Sequence, residues 1–388
     1  MLCVIIGGKL QGVEAAYLAA KAGWKTMTID RRQDVPASGL CDTFINADIT
    51  AKNELNRILK NADLIIPALE NDAALDAIAQ RARSVAVPLA FDQKAYVISS
   101  SKLKSDRLFL KSNIPAPRYW PDCTLPVLAK PSSGSGSSGI QIFKNPDALK
   151  RHIESAPGQW VVQEFLEGPT YSLEVAGRPG NYTVFQVTDL GMDPEYDCNR
   201  VIAPTVLDAA LVSEFYAIGL SLAEAVALEG IMDVEVILHD KTLKVLEIDA
   251  RLPSQTPSAV FWSTGLNMVQ VLGELTLSGT VAPFCPVRQM GVVYEHVRVS
   301  PGLIEILGEH IMATAGPLHL YTDFFGADEA LTNYAPGRKN WAATLIMAAS
   351  NREKVLTKSH RVINQICKKF DINRVMNAHL EAIKGKKQ

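Results

Sequence analysis

The stretch Gly230–Pro253, GIMDVEVILHDKTLKVLEIDARLP, alternates apolar and polar residues in two runs, the period of a half-buried strand. Met232–Leu238 and Leu243–Asp249 are those runs, and His239-Asp240-Lys241-Thr242 reads as the turn that makes them a hairpin. Asp233, Glu235, Glu247 and Asp249 occupy positions of one parity. Each strand therefore aims its carboxylates at one face, while Val234, Val236, Leu246 and Ile248 line the other. Acids crowded on one face repel one another unless cations neutralise them. Oxygen ligands with no Cys or His among them favour Mg²⁺ over zinc. Arg251 follows on the acidic side. The competing reading is a solvated acidic face balanced by nearby lysines.

A chain of 388 residues suggests two or three domains, and a 47% hydrophobic content supplies their cores. The formal net charge of −2, with both signs interspersed, gives no electrostatic reason to expect nucleic acid. The opening MLCVIIGG is too short to span a membrane and lacks the basic start and cleavage site of a signal peptide. Cys3, Cys41, Cys123, Cys198, Cys285 and Cys367 are dispersed without a CxxC pair, as in a cytoplasmic protein with reduced thiols.

Working outward to the N-terminus, Leu2–Ile6, the glycine-rich turn Gly7–Gly12, an alanine-rich helix from Val13 and a strand Trp24–Asp30 form a βαβ unit. It invites a dinucleotide reading with Asp30 on a ribose, but G-G-x-x-x-G departs from the G-x-G-x-x-G spacing. Open α/β sheets bind ligands beyond their strand C-termini, which makes Leu10, Gln11, Glu70 and Asp72 candidates for a small polar substrate. Ser99-Ser100-Ser101 precedes a helix over Lys102–Ser112. Lys102 and Lys104 lie in its first turn, where the macrodipole disfavours cations, so an anionic partner is expected. Strand Val127–Lys130 runs into Pro131-Ser-Ser-Gly-Ser-Gly-Ser-Ser-Gly139, a loop whose amides can wrap phosphate oxygens beside the Lys130 charge; a flexible linker is the alternative. Glu164-Phe165-Leu166-Glu167-Gly168, after a strand from Trp160, can offer backbone groups to a purine and a carboxylate to a ribose. Asp208–Ala227 has the period of a long amphipathic helix, Ser254–Pro257 reads as a polar loop, and Lys384–Gln388 as a disordered tail.

In their order and spacing these pieces resemble the ATP-grasp superfamily of carboxylate–amine ligases. The matching residues are the N-terminal βαβ unit, the helix-start lysines, Lys130–Gly139, Val162–Gly168, and Glu235 followed by Glu247-Ile-Asp249-Ala-Arg251. The resemblance implies an α/β fold, α+β in parts. Its divisions would be a Rossmann-like domain over 1–91, a central domain with a mobile lid over 92–182, and a C-terminal domain over 183–388. It implies ATP and two Mg²⁺ ions as cofactors. Lys102 or Lys104, with Lys130, would bind the phosphates under a lid of Ser132, Ser133, Gly134, Ser135 and Ser137. Glu164, Phe165 and Leu166 would meet adenine, and Glu167 the ribose. Glu235, Glu247 and Asp249 would hold metal, Asp249 standing where many relatives have Asn. Arg251 and Lys130 would be catalytic. Leu10, Gln11, Glu70, Asp72, Glu174, Asp233, Arg251 and Ser254 would contact amino-acid substrates. A homodimer in the cytoplasm, without nucleic acid or membrane, is the implied setting. A nicotinamide-dependent oxidoreductase and a non-catalytic nucleotide-binding protein are the rivals.

Overall fold

The computed structural model describes residues 1–51, 54–133 and 139–377. Two compact units emerge, one from Met1–Phe91, Leu190–Thr205 and the chain from Leu252 onward, the other from Asp92–Asp189 and Val206–Arg251. This grouping differs from three consecutive domains. The strand Gly230–His239 pairs with Thr170–Arg178, which draws the hairpin into the second unit, while the following helices pack with the N-terminal residues.

In the first unit, Thr43–Asn46, Lys25–Asp30, Leu2–Ile6 and Leu64–Pro67 lie in that order as a parallel sheet. Such sheets are covered on both faces, so their strands read as unbroken apolar runs, and Val4, Ile5, Ile65 and Ile66 are fully buried. Gly7, at φ +112°, lets the turn press on the next strand end, where a Cβ would lie 2.3 Å from the Ala68 carbonyl oxygen. The Asp30 carboxylate accepts from Gly8 N at 2.9 Å and Arg32 N at 2.8 Å. One oxygen thus ties the strand end to the glycine-rich turn and the other to the backbone just past the strand.

An antiparallel sheet of Cys198–Ala203, Gly291–Ser300, Trp341–Ala349, Ala327–Thr332 and His319–Phe324 completes this unit, with helix Arg352–Lys369 packed over Val293, Leu345 and Met347. The expected loop Ser254–Pro257 is partly helical, because Pro257 fits the first turn of helix Thr256–Thr264. Glu14 of helix Leu10–Lys21 accepts from Ser258 N at 2.6 Å and so caps that helix. Burial pushes the Glu14 carboxyl up to about 7. A raised carboxyl favours the folded state below its unfolded value of 4.5, and the advantage is lost as pH rises through 7. Glu14→Gln, which keeps the acceptor, is therefore expected to be more stable than the parent at pH 8, by roughly 3 kcal/mol. The two should converge as pH falls below 4.5 in thermal melts.

The second unit is built on strands Thr242–Asp249, Gly230–His239 and Thr170–Arg178, in that order and antiparallel. Asp240 and Lys241, at φ 47° and 64°, make the two-residue turn whose twist matches the strands. The register slips after Glu235, so Val236 faces Val245 and Leu246 is the extra residue. The core face is accordingly Val234, Val236, Leu243, Val245 and Ile248, not Leu246, which is only half-buried. The bulge lets apolar residues of both parities reach the core while the acids stay aligned. Helix Ala209–Val226 has a mean hydropathy of 1.4 over 18 residues, long and apolar enough to cross a membrane. Its Phe215, Leu222 and Val226 pack into this core. A smaller sheet of Gln141–Phe143, Val127–Pro131 and Trp160–Glu164 buries Val127 and Ala129 beneath helix Pro146–Ser155.

Candidate active site

Strand register sets the acids of the second unit in two rows. Glu174, Asp233 and Asp249 stand directly opposite one another across three strands, and Ser172, Glu235 and Glu247 form the neighbouring row. Directly opposed residues share a face. Asp233 and Glu174 are buried. Burial raises the Asp233 carboxyl well above the usual carboxylate range; Arg251 opposes the shift, while Glu235, Glu174 and Glu247 add to it. Like charges held this closely by backbone pairing call for cations, and a donor set of carboxylate oxygens fits Mg²⁺.

The cations the chain supplies come from separate segments. Lys102 Nζ donates to Glu247 Oε1 at 2.8 Å. Arg251 Nη2 donates to Asp249 Oδ2 at 2.8 Å, and Nη1 lies 3.9 Å from Asp233 Oδ1. Lys130, buried, donates to the Leu246 carbonyl at 3.2 Å. Desolvation pushes its amine below the usual lysine range, while the Glu247 and Asp106 charges pull it back. Strand alternation explains Lys130: Ala129 faces the small core, so its neighbour faces away from it. Lys104 is not brought here, since two residues along a helix turn a side chain to another face, and its Nζ meets the Val97 carbonyl at 3.2 Å. Lys102→Met is expected to raise the KM for Mg-ATP at least tenfold, the cost of one charge-assisted contact. Lys104→Ala is expected to leave it within about twofold. Steady-state ADP release checks both.

Ser132 lies against the start of helix Lys102–Lys111. Its carbonyl accepts from Lys102 N at 2.9 Å, and its hydroxyl, 3.4 Å from Leu103 N, caps the helix start that Ser101 leaves uncapped. Ser133 is exposed, whereas Gly134, Ser135 and Ser137, like the tail Lys384–Gln388, fall outside the described residues. Burial alone would raise the Glu164 carboxyl, but bonds from Lys244 at 2.5 Å and from Arg118 Nε at 3.1 Å outweigh it and hold it low. The carboxylate thus anchors the connector. Phe165 N donates to the Pro126 carbonyl at 3.1 Å, and the Glu167 carbonyl lies 2.9 Å from His239 Nδ1, while the Glu167 side chain is exposed. Gly168 allows the chain to pass, as a Cβ there would sit 2.1 Å from the Leu238 carbonyl oxygen.

In the first unit, Gln11 Nε2 donates to Glu70 Oε1 at 2.7 Å, so these candidates are brought together beyond the strand ends. Leu10 opens the helix beside them. Asp72 is exposed in the first turn of helix Asp72–Val85, which Asn71 caps, a position that suits its charge to the helix dipole. Ser254 Oγ donates to Glu309 Oε2 at 2.7 Å. Asp193, Asp197 and His310 also cluster, but their carboxylates accept from Glu195, Gly308 and His310 backbone amides and so tie loops together.

Sequence reasoning passed over several residues. Asp106, buried one helical turn after Lys102, was signalled by the i, i+4 spacing. Ser172, Glu309 and His296 come from distant segments and carried no local signal, and Lys244, within the hairpin itself, meets its partner Glu164 only across the fold.

A family profile described as "ATP-grasp domain" matches residues 99–255. A curated 3-methyl-D-ornithine–L-lysine ligase of Methanosarcina mazei is 34% identical over 94% of this chain and 95% of its own. The protein of the same name from Methanosarcina acetivorans is 36% identical over 80% of this chain and 83% of its own. Among solved structures, the biotin carboxylase domain of Hydrogenobacter thermophilus 2-oxoglutarate carboxylase, with MgADP and bicarbonate, superposes at TM-score 0.71 with 14% identity, covering 93% of this chain and 89% of that one. N5-carboxyaminoimidazole ribonucleotide synthetase of Thermotoga maritima does so at 0.65 with 20% identity, covering 94% and 98%.

Proposed function

Because the chain belongs to the ATP-grasp family of carboxylate–amine ligases, we propose that it joins the carboxylate of 3-methyl-D-ornithine, or of D-ornithine, to the ε-amine of L-lysine in pyrrolysine biosynthesis. The observation that carries this reading is the double row Glu174–Asp233–Asp249 and Ser172–Glu235–Glu247 with Lys102, Lys130 and Arg251 against it.

Glu235, Glu247 and Asp249 would hold two Mg²⁺ ions, which supply Lewis-acid neutralisation of phosphate charge. Lys102 and Lys130 bind the phosphates. The Phe165–Leu166 backbone receives adenine and Glu167 the ribose, with Glu164 anchoring the connector. Arg251 aligns the substrate carboxylate, whose oxygen attacks the γ-phosphorus in line; the bond to the β-phosphate oxygen breaks and ADP leaves. The amine then attacks the acyl carbon, the acyl carbon–oxygen bond to phosphate breaks and phosphate departs, and the proton shed by the amine nitrogen passes to Asp233 or Glu174. Holding both reactants in place is worth about 7 to 11 kcal/mol at the barrier. Gln11, Glu70, Leu10 and Ser254 are assigned to amino-acid recognition. A cytoplasmic homodimer is the expected form.

The test is incubation with Mg-ATP, L-lysine and D-ornithine, with mass spectrometry for an amide at the summed mass less water. Product from other amino acids alone would leave an ATP-grasp ligase of a different acid and amine pair. ATP binding without ADP release from any pair would leave a nucleotide-binding protein.

A further inference from the structure

Gln255 holds a backbone conformation that the sequence pattern does not call for. Its φ is 72° and ψ −60°, and Thr256 N donates across it to the Ser254 carbonyl at 2.8 Å. This is the γ-turn of positive φ, strained for any residue with a Cβ. Ala86 and Ala227, also at positive φ, are by contrast in the ordinary left-handed form that ends helices. A glycine would make the turn at Gln255 without strain, so the position retains a side chain for what that side chain does.

Both amide atoms of Gln255 are spoken for. Nε2 donates to Glu309 Oε2 at 2.8 Å, and Glu309, an acceptor only, fixes the nitrogen on its own side. Oε1 therefore accepts from His296 Nε2 at 3.1 Å, and His296 Nδ1 in turn accepts from Thr344 Oγ1 at 2.9 Å. Burial holds the imidazole neutral, pushed down to about 3, which leaves it the single N–H this arrangement requires. Glu309 Oε2 also accepts from Ser254 Oγ at 2.7 Å, so one oxygen holds two consecutive residues of the turn. Strain persists only where surroundings over-determine it, and it collects at functional sites.

We propose that Gln255 is a positioning residue of the ligation reaction: the locked turn holds Ser254, in the segment that follows Arg251 in sequence, in one orientation toward the amino-acid substrate. The inference rests on the assignment of Ser254 to substrate made above. Gln255 acts through Ser254 and touches no reacting atom.

Two variants test it in ADP release with Mg-ATP, L-lysine and D-ornithine. Gln255→Gly adopts the turn without strain but loses both side-chain bonds, and Gln255→Met keeps the length without the bonds. In each, kcat is expected to fall on the order of 10- to 10²-fold, with KM for Mg-ATP within about twofold and an unchanged circular dichroism spectrum. A merely structural residue would lower the melting temperature and leave kcat alone. Parental kcat in either folded variant overturns the proposal, as does failure of both to fold. Absence of ADP release from the parent chain would remove the proposed function and this inference together; parental release with undiminished Gln255→Gly removes the inference alone.

Discussion

Glu247→Ala abolishes amine-dependent ADP release and leaves the fold intact: that is the largest effect expected in this protein. Glu247 is only half-buried, on the outer face of the hairpin, so its removal opens no core cavity. It does remove the carboxylate that stands opposite Glu235 and holds Lys102. If Glu247 holds metal as proposed, its loss would cost several kcal/mol of charge stabilisation, on the order of 10³ in rate or more. Asp249→Ala should behave alike. The checks are a coupled ADP assay, a Mg²⁺ titration and circular dichroism. A folded Glu247→Ala chain with full turnover would refute the metal assignment.

Arg251→Ala is expected to cost on the order of 10²- to 10³-fold in kcat, the usual loss when a donor aimed at developing charge is removed. The guanidinium now bonds Asp249 and approaches Asp233, so it stands at the end of the acid row where a substrate carboxylate would otherwise meet only negative charge. Its loss should also push the Asp233 carboxyl higher still, since Arg251 is what opposes the burial there. Arg251→Lys keeps the charge without the two-pronged fork and should recover part of the rate. A defect confined to KM would instead make Arg251 a residue of uniform binding.

Most of the elements that matter were legible in the sequence because their signals are local. Two-residue alternation marked the hairpin, an unbroken apolar run marked Leu2–Ile6, and the 3.6-residue period marked Ala209–Val226, each within a residue or two of its observed ends. Where a reading went astray, a non-local contact had changed the outcome. The bulge at Leu246 arises from pairing with Gly230–His239, and alternation within one strand could not show it. Lys102 and Lys104 are equivalent on the first-turn argument. Only the packing of their helix separates one, against Glu247, from the other, at Val97. What the Glu164 carboxylate itself does carried no local signal, because its partners, Arg118 and Lys244, lie far off in the chain.

The amino-acid sequence by itself determined which residue types alternate, and hence that Asp233, Glu235, Glu247 and Asp249 would share a face, since side-chain direction along a strand follows from backbone geometry alone. What only the tertiary structure decided was the company those acids keep: Glu174 and Ser172 drawn level with them by strand register, Lys102 and Lys130 from two other segments, and the strained turn at Gln255 locked by Glu309 and His296. These are contacts between residues tens to more than a hundred positions apart, and no local period encodes which of them will meet.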